Sequence, residues 1–369
     1  MIVRAKTKTL FSGKPLTAAQ RKNSDLNMLE MEAGQAVLTS FPRRIVLELT
    51  NACNLNCTMC GRRAAKINTA FLDMNWFHTL EPLFDSVEEV TLMGWGEPTI
   101  HPNFAAMLQI INRHSARKYF CTNGMRLHLL TEAIFENEVD VFAVSADGAT
   151  PETNNRIRAG SDLTRINGSL RNIVRIKRAG NLKYPHMNYV FCAMKSNLNE
   201  LPQMVEMTAD VGLEELKVVY LTAFQESMMQ ESLWNHQGEV EEAFSRAARR
   251  AEELGVLLQL PYVQGKDPAG DMLHRECFAS YRDFFLGSDG FTRPCMSTAD
   301  TFCRFDPNQD FMELWNGEAY QRHRKTVNTA GMCQNCCNCF QSSHGNWNRR
   351  ESYIQAGKKF APDWEGQIR

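Results

Sequence analysis

The chain has 369 residues, of which 43% are hydrophobic and 22% charged, and its formal net charge is −1. This length accommodates one large domain and a smaller one around a sizeable buried core. The balanced charge gives no overall field that favours nucleic acid, so we expect no nucleic-acid partner. No apolar segment is long enough to cross a bilayer, and the first residues lack the apolar core of a secretory signal. These features predict a cytoplasmic protein without membrane association.

The residues before position 43 are polar and mixed, with a predicted helix over 25–38, and we interpret 1–42 as an N-terminal extension that serves as a lid or docking segment. From Arg44 onward, short β-branched segments alternate with amphipathic ones, which is typical of βα units and a parallel sheet. Six strands are predicted at 45–49, 89–94, 118–123, 139–145, 188–194 and 216–221. The amphipathic segments 103–114 and 239–254 predict helices that cover this sheet.

This alternation predicts an α/β fold, a partial (β/α)6 TIM-like barrel over residues 43–265. A small C-terminal domain over 266–345 is rich in Cys, Asn, Gly and Arg, and a tail follows over 346–369. The small domain has few long periodic segments, so we expect a metal to supply stability that its core cannot. In βα barrels the chemistry lies at the carboxyl ends of the strands, and each motif described below in the barrel follows a predicted strand.

Of the twelve cysteines, three lie within Cys53–Cys60 and six within Cys277–Cys339 when Cys303 is left aside. Clustered cysteines in a chain that is not secreted indicate metal centres rather than disulfides. Cys121, Cys192 and Cys303 do not belong to either set of motifs. We therefore predict two metal centres.

The first region has the spacing Cys-x3-Cys-x2-Cys, at Cys53, Cys57 and Cys60, on a loop directly after the first predicted strand. A [4Fe–4S] cluster takes one thiolate per iron, so three cysteines leave one iron open to another ligand. A zinc site with a fourth ligand such as Cys121, or a coincidence of buried cysteines, is the alternative interpretation.

This spacing after the first barrel strand resembles the radical S-adenosylmethionine (SAM) superfamily. The resemblance implies that SAM chelates the open iron through its amino and carboxylate groups. It also implies that SAM is opened reductively to methionine and a 5′-deoxyadenosyl radical, which abstracts a hydrogen atom from the substrate. A flavodoxin or ferredoxin is the implied electron donor.

Further residues at strand ends resemble the SAM contacts of that superfamily. Gly94, Trp95, Gly96 and Glu97 correspond to its Gly-Gly-Glu segment, which implies a role in holding the SAM amino group. An ordinary strand-to-turn Gly-x-Gly is the alternative.

Four polar residues follow the third and fourth predicted strands: Thr122, Asn123, Ser145 and Asp147. Ser145 and Asp147 correspond to the ribose contacts of the superfamily, although Asp147 could instead cap the next helix. Arg158 is the residue that the resemblance assigns to the SAM carboxylate.

In the second region, Cys277, Gly290 and Cys295 have the spacing Cys-x12-Gly-x4-Cys, and a Cys-x2-Cys follows at Cys333 and Cys336. This arrangement resembles the auxiliary-cluster domains called SPASM and, in shortened form, twitch. Because position 342 is serine where the SPASM pattern has a further cysteine, we predict one twitch-like [4Fe–4S] cluster on these four cysteines.

Three alternatives to this ligand set remain open. Cys337 or Cys339 could replace a member of the Cys-x2-Cys pair. Two clusters could share the seven cysteines of this region, counting Cys303, or the region could be a zinc ribbon.

A fully ligated auxiliary cluster has no open iron and moves electrons, which suits a net oxidation. We therefore predict a radical SAM oxidoreductase that dehydrogenates a small molecule, such as a sugar or cyclitol, in a biosynthetic pathway. A peptide or protein maturase of the RiPP or sulfatase type is the first alternative, although an extension of 42 residues looks short for a peptide-recognition module. A radical epimerase, with Cys121 or Cys192 returning hydrogen, and a non-catalytic iron–sulfur electron carrier are the others.

Overall fold

A computed structural model of the chain describes residues 14–64, 68–223, 226–233, 235–261, 263, 277–296, 300–329, 331, 333 and 336. The strands within these ranges are β1 (Arg44–Leu47), β2 (Glu89–Leu92), β3 (Arg117–Thr122), β4 (Val141–Ser145), β5 (His186–Ala193), β6 (Glu215–Tyr220), β7 (Leu257–Gln259), β8 (Asp283–Leu286) and β9 (Thr292–Arg293).

The α-helices in the same ranges are α1 (Ala18–Glu32), α2 (Met74–Leu80), α3 (Phe104–Ile111), α4 (Leu127–Glu136), α5 (Pro151–Ile157), α6 (Leu163–Ala179), α7 (Leu201–Val211), α8 (Gln237–Leu254), α9 (Ala279–Arg282), α10 (Phe311–Trp315) and α11 (Glu318–Thr326). The two helices predicted at 103–114 and 239–254 are confirmed as α3 and α8.

All nine strands form one sheet in the order β7-β6-β5-β4-β3-β2-β1-β8-β9. Every neighbouring pair is parallel except β8 and β9, which are antiparallel. The six predicted strands are confirmed as β1 to β6, and the α/β partial barrel is confirmed with them. The sequence did not predict β7, β8 or β9, because each is short and lies outside the regular alternation.

The sheet is parallel because its strands are apolar runs covered by helices, which is the environment that parallel strands require. The strands β2 and β8 are buried at every position. In the middle of the sheet, the rings of Phe120 and Phe142 on adjacent strands stack with their centroids 5.1 Å apart. The six βα loops consequently leave the same edge of the sheet, and this edge carries the barrel motifs.

The helix predicted at 25–38 is α1, which begins earlier and also ends earlier. It begins at a capping box in which Thr17 and Gln20 exchange side-chain and backbone hydrogen bonds. Its buried face is polar, with Gln20 donating to the carbonyl of Val87 at 2.8 Å and Asn27 to that of Tyr281 at 2.9 Å. The extension therefore docks on residues of the barrel and of the C-terminal part together.

In the C-terminal part, β8 extends the barrel sheet beside β1, with Val46 opposite Phe285. The turn between β8 and β9 contains Gly290 at φ +80°, and a Cβ there would lie 2.5 Å from the ring of Trp76. Glycine is therefore required at this position for both conformation and space. The predicted domain boundary at 265 and the predicted tail at 346–369 lie outside the described residues, so these divisions stay predictions.

None of the helices that the structure describes is both long and apolar enough to cross a lipid bilayer.

Candidate functional site

The loop that follows β1 carries Cys53, Cys57 and Cys60 and is fixed against the end of α5. The amide of Asn56 donates to the carbonyl of Ala159 at 2.9 Å, and the amide of Thr58 to that of Ile157 at 2.8 Å. Cys57 is buried, whereas Cys53 and Cys60 are partly exposed. Backbone hydrogen bonds at Asn56 and Thr58 thus hold the loop in place. The three thiols lie near one another at the edge of the sheet.

The surroundings of these thiols suit sulfur atoms that carry negative charge shared with a metal centre. The Sγ atom of Cys53 accepts hydrogen bonds from the amide of Leu55 at 3.4 Å and from the side-chain amide of Asn123 at 3.8 Å. Burial raises the pKa of Cys53 and raises that of Cys57 to about 11. Bare thiolates are therefore disfavoured here, and a bound cation would be needed to hold them.

Among the described residues, no three His, Cys, Asp or Glu side chains are placed to hold one metal ion. A single zinc ion requires its ligands around one atom, whereas each thiolate of a [4Fe–4S] cluster binds a different iron. Three neighbouring cysteines on one loop, with N–H donors directed at a sulfur, fit the cluster.

The carboxylate of Glu97 joins the loops that follow β2 and β3. It accepts hydrogen bonds from the hydroxyl of Thr122 at 2.7 Å and from the amide of Asn123 at 2.7 Å. It also accepts two from Thr99, from the hydroxyl at 2.5 Å and the amide at 3.2 Å. Glu97 is 3% exposed, and burial raises its pKa. Four donors thus fix its carboxylate, and through Asn123 the network reaches Cys53.

Gly94 and Gly96 are required by close approaches of the backbone. A Cβ at Gly96 would lie 2.3 Å from the carbonyl oxygens of both Thr50 and Ala52, and one at Gly94 would lie 2.3 Å from Cγ of Glu48. Both glycines therefore pack the loop after β2 against the segment that leads from β1 into the cysteine loop. Whether this loop also holds the SAM amino group stays a prediction.

Asp147 and Arg158 form a buried ion pair with 2.7 Å between the guanidinium Nε and the carboxylate. Asp147 also accepts the amide of Cys192 at 2.8 Å. Burial alone would lower the pKa of Arg158, but the Asp147 carboxylate and the neighbouring Cys57 and Cys192 together outweigh burial and hold that pKa above its ordinary value. The two side chains predicted to contact SAM are thus partners of each other, and their roles toward ribose and carboxylate stay predictions.

The remaining barrel candidates lie on neighbouring strands at the same edge. The Sγ of Cys121 is 3.7 Å from the hydroxyl of Ser145, and burial raises the pKa of Cys121. Cys192 is partly buried on β5 and packs against the side-chain cluster that includes Met194. The catalytic use predicted for these two thiols stays a prediction.

The four predicted auxiliary ligands lie together in the C-terminal part. Cys336 shares a hydrogen bond with Cys333, and its pKa is raised by that bond, by burial, and by the charges of Cys333, Cys295 and Cys277. The Sγ of Cys303 lies 3.2 Å from the hydroxyl of Thr292. Cys337 and Cys339 lie outside the described residues.

Sequence reasoning missed two polar residues that the structure brings to these centres. Glu48, just after β1, accepts the amide of Trp95 at 2.8 Å and the hydroxyl of Ser288 at 2.9 Å. His323 on α11 lies 3.5 Å from the Sγ of Cys336. An acidic residue at the end of an apolar strand was the available signal for Glu48, whereas the contact of His323 with Cys336 is a tertiary contact that no local pattern predicts.

Comparison with known proteins agrees with this site. Residues 47–190 match the family model of the Radical SAM superfamily, a range that contains the cysteine loop, the Glu97 network and the Asp147–Arg158 pair. These residues are therefore similar to the radical SAM enzymes, a class whose cofactors are a [4Fe–4S] cluster and SAM.

The individual relatives have low sequence identity to this chain. The tungsten-containing aldehyde ferredoxin oxidoreductase cofactor-modifying protein of Pyrococcus furiosus is 22% identical over 265 residues, which is 70% of this chain and 72% of that protein. The mycofactocin maturase MftC of Mycobacterium tuberculosis is 30% identical over 145 residues, which is 38% of this chain but only 36% of MftC.

Streptococcus suis SuiB, in its structure bound to the precursor peptide SuiA, shares the fold with a TM-score of 0.65. This similarity covers 90% of the present chain and 80% of SuiB at 14% identity.

Proposed function

We propose that this chain is a radical SAM maturase that holds its first cluster on Cys53, Cys57 and Cys60 and modifies a peptide. The observation that carries the proposal is the convergence of these cysteines with the Glu97 network through Asn123, whose side-chain amide reaches both Cys53 and Asn54. The proposed auxiliary ligands are Cys277, Cys295, Cys333 and Cys336.

When bound, the cluster and SAM supply a 5′-deoxyadenosyl radical, formed with one electron from an external donor, that takes a hydrogen atom from the substrate. The residues of this chain position the loops around the cluster and stabilise charge on its sulfur ligands. The bonds of Asn56 and Thr58 to the end of α5 hold the cysteine loop in place. Glu97 aligns the loops after β2 and β3, and the N–H groups of Leu55 and Asn123 stabilise charge on the sulfur of Cys53. Such preorganised polar groups are most effective where water is excluded.

The choice of a peptide rests on relatives. SuiB is described as bound to a precursor peptide, and most of the present chain has its fold. MftC, which is named as a maturase, matches 38% of this chain. The sugar or cyclitol substrate that we predicted from the twitch-like cysteine spacing has no such support.

A small-molecule substrate is the second candidate, and it also rests on relatives. The Pyrococcus furiosus protein, which matches a larger share of this chain than MftC does, is named for modification of a cofactor. Protease treatment destroys a peptide substrate but leaves a small molecule intact, so it distinguishes the two candidates.

The test uses the full chain, reconstituted with iron and sulfide under anaerobic conditions and supplied with dithionite and SAM. The added substrate source is the fraction below 10 kDa, roughly, of a heat-treated extract of the source cells, used either directly or after exhaustive digestion with a non-specific protease. The readout is 5′-deoxyadenosine above the level without extract, with Cys57→Ala as the inactive control.

Stimulation that the protease abolishes supports a peptide substrate. Stimulation that survives digestion overturns the peptide proposal in favour of the small molecule. If 5′-deoxyadenosine fails to form under any condition although both clusters are assembled, the radical chemistry itself is overturned and the chain is an electron carrier.

A further inference from the structure

His323 is placed between a serine of α9 and the proposed auxiliary ligands. Its Nε2 lies 3.5 Å from the Sγ of Cys336, and its Nδ1 lies 3.0 Å from the hydroxyl of Ser280. The ring also packs against Phe302, with centroids 5.4 Å apart and planes at 61°. The imidazole is therefore held at both nitrogens and on one face, which fixes its orientation toward Cys336.

The partners of the ring determine which nitrogen carries the proton. A cluster-bound thiolate only accepts hydrogen bonds, whereas a serine hydroxyl donates or accepts. The proton therefore resides on Nε2, facing sulfur, and the Ser280 hydroxyl donates to Nδ1.

Ser280 is fixed by burial and by a hydrogen bond to its backbone. Ser280 is 0% exposed, and its carbonyl accepts the Nε of Arg324 at 3.0 Å. Arg324 is also buried and donates to the carbonyl of Trp315 at 2.9 Å. A rigid support of this kind is what orients a hydrogen-bonding group near a metal centre.

We propose that His323 is a positioning residue that donates an N–H···S hydrogen bond to Cys336 and so raises the reduction potential of the auxiliary cluster. This inference rests on the proposed function, because it requires a cluster on Cys277, Cys295, Cys333 and Cys336. Hydrogen bonds to cluster sulfurs are among the factors that set the potential. The bond strengthens as negative charge accumulates on sulfur, so it favours the reduced form and makes the cluster a better electron acceptor.

The test isolates the auxiliary cluster in the full chain by replacing Cys53, Cys57 and Cys60 with alanine together. In this background, His323→Phe keeps a ring against Phe302 but has no N–H, whereas His323→Gln keeps an N–H near the position of Nε2. Iron is counted, and the potential is measured by redox titration with electron paramagnetic resonance.

We expect each protein in this background to hold about four irons. In His323→Phe, the ratio of reduced to oxidised cluster at a fixed potential should fall about tenfold, a shift of about 59 mV to more negative potential for a one-electron couple. His323→Gln should retain most of the original potential.

Equal potentials in the Phe variant and its parent would overturn the role of His323 while leaving the auxiliary cluster intact. Loss of iron in both His323 variants, with the fold retained by circular dichroism, would also overturn it, because His323 would then be a ligand. A parent without iron in this background would instead overturn the auxiliary cluster of the proposed function.

Discussion

The Ser288 hydroxyl donates a hydrogen bond of 2.9 Å to the carboxylate of Glu48, and this contact joins two residues that are 240 positions apart. The other oxygen of the same carboxylate accepts the amide of Trp95. Glu48 therefore connects the Gly94–Glu97 loop of the barrel with the turn after β8, the strand that precedes Cys295. The Gly94–Glu97 loop, which is predicted to contact SAM, and the C-terminal part thus share the buried carboxylate of Glu48 as an acceptor.

Replacing Glu48 with alanine should destabilise the protein more than removing the Ser288 hydroxyl. Glu48→Ala removes the acceptor of three hydrogen bonds, which come from the amide of Trp95 and from the amide and hydroxyl of Ser288. We expect the free energy of unfolding to fall by about 3 kcal/mol for Glu48→Ala and by about 1 kcal/mol for Ser288→Ala. Urea denaturation of the cluster-free protein measures both. Equal losses in the two variants would contradict the bridging role of Glu48.

Glu97→Gln should disturb the cysteine loop as well as stability. The amide group of glutamine cannot accept from every donor that the carboxylate serves, so at least one of Thr122, Asn123 or Thr99 loses its acceptor. We expect a loss of about 2 kcal/mol in the free energy of unfolding, against about 1 kcal/mol for Thr122→Val as a matched control. Because Asn123 contacts Cys53, the Gln variant should also retain less iron after reconstitution. Unchanged iron content and stability would show that the network does not support the loop.

Substitutions of Asp147 and Arg158 should have coupled effects on the free energy of unfolding. Removing one partner leaves the other charge buried, so Asp147→Asn and Arg158→Met should each lower the free energy of unfolding by about 3 kcal/mol or more. The double variant should lose clearly less than the sum of the single variants, because it leaves no unpaired charge. A denaturation series on the four proteins measures this coupling, and strict additivity would mean that the two side chains do not depend on each other.

His114 should give the protein a pH-dependent contribution to stability. Burial alone would lower its pKa, but its bonds to Asp85 at 2.8 Å and Glu81 at 3.2 Å outweigh burial and raise the pKa above the ordinary value. A raised pKa means that the stabilisation is complete below the unfolded value of about 6.5 and is lost as pH rises through the folded value. The stability difference between the native protein and His114→Gln should therefore be largest near pH 5.5 and shrink toward pH 8.5.

Denaturation at these two pH values measures that difference. Asp85→Asn, which removes one of the two negative charges beside His114, should weaken the same pH dependence. A difference that stays constant or grows with pH would contradict the sign of the shift.

The sequence predicted the barrel strands and the cysteine loop because their signals are local. An apolar β-branched run such as 139–145 predicts β4 whatever surrounds it, and the spacing of Cys53, Cys57 and Cys60 is itself the motif. In contrast, α1 was misplaced because its buried face is polar: Gln20 and Asn27 bond to distant carbonyls, so no apolar period marks the helix.

The contacts of the site were harder to predict for a related reason. The sequence indicated Asp147 and Arg158 as separate SAM contacts, but it could not show that the chain brings them 2.7 Å apart. The strand β8 became recognisable only through its pairing with β1. Such long-range partners depend on the assembled fold rather than on neighbouring residues.

The central claim is that Cys53, Cys57 and Cys60 hold a cluster that opens SAM. The most direct measurement reconstitutes the full chain anaerobically, counts iron, and looks for 5′-deoxyadenosine after adding dithionite and SAM, with Cys57→Ala and Cys303→Ala compared side by side. We expect about eight irons per chain and 5′-deoxyadenosine in the native protein and in Cys303→Ala, and about four irons without 5′-deoxyadenosine in Cys57→Ala. Zinc in place of iron, or 5′-deoxyadenosine that persists in Cys57→Ala, would contradict the account.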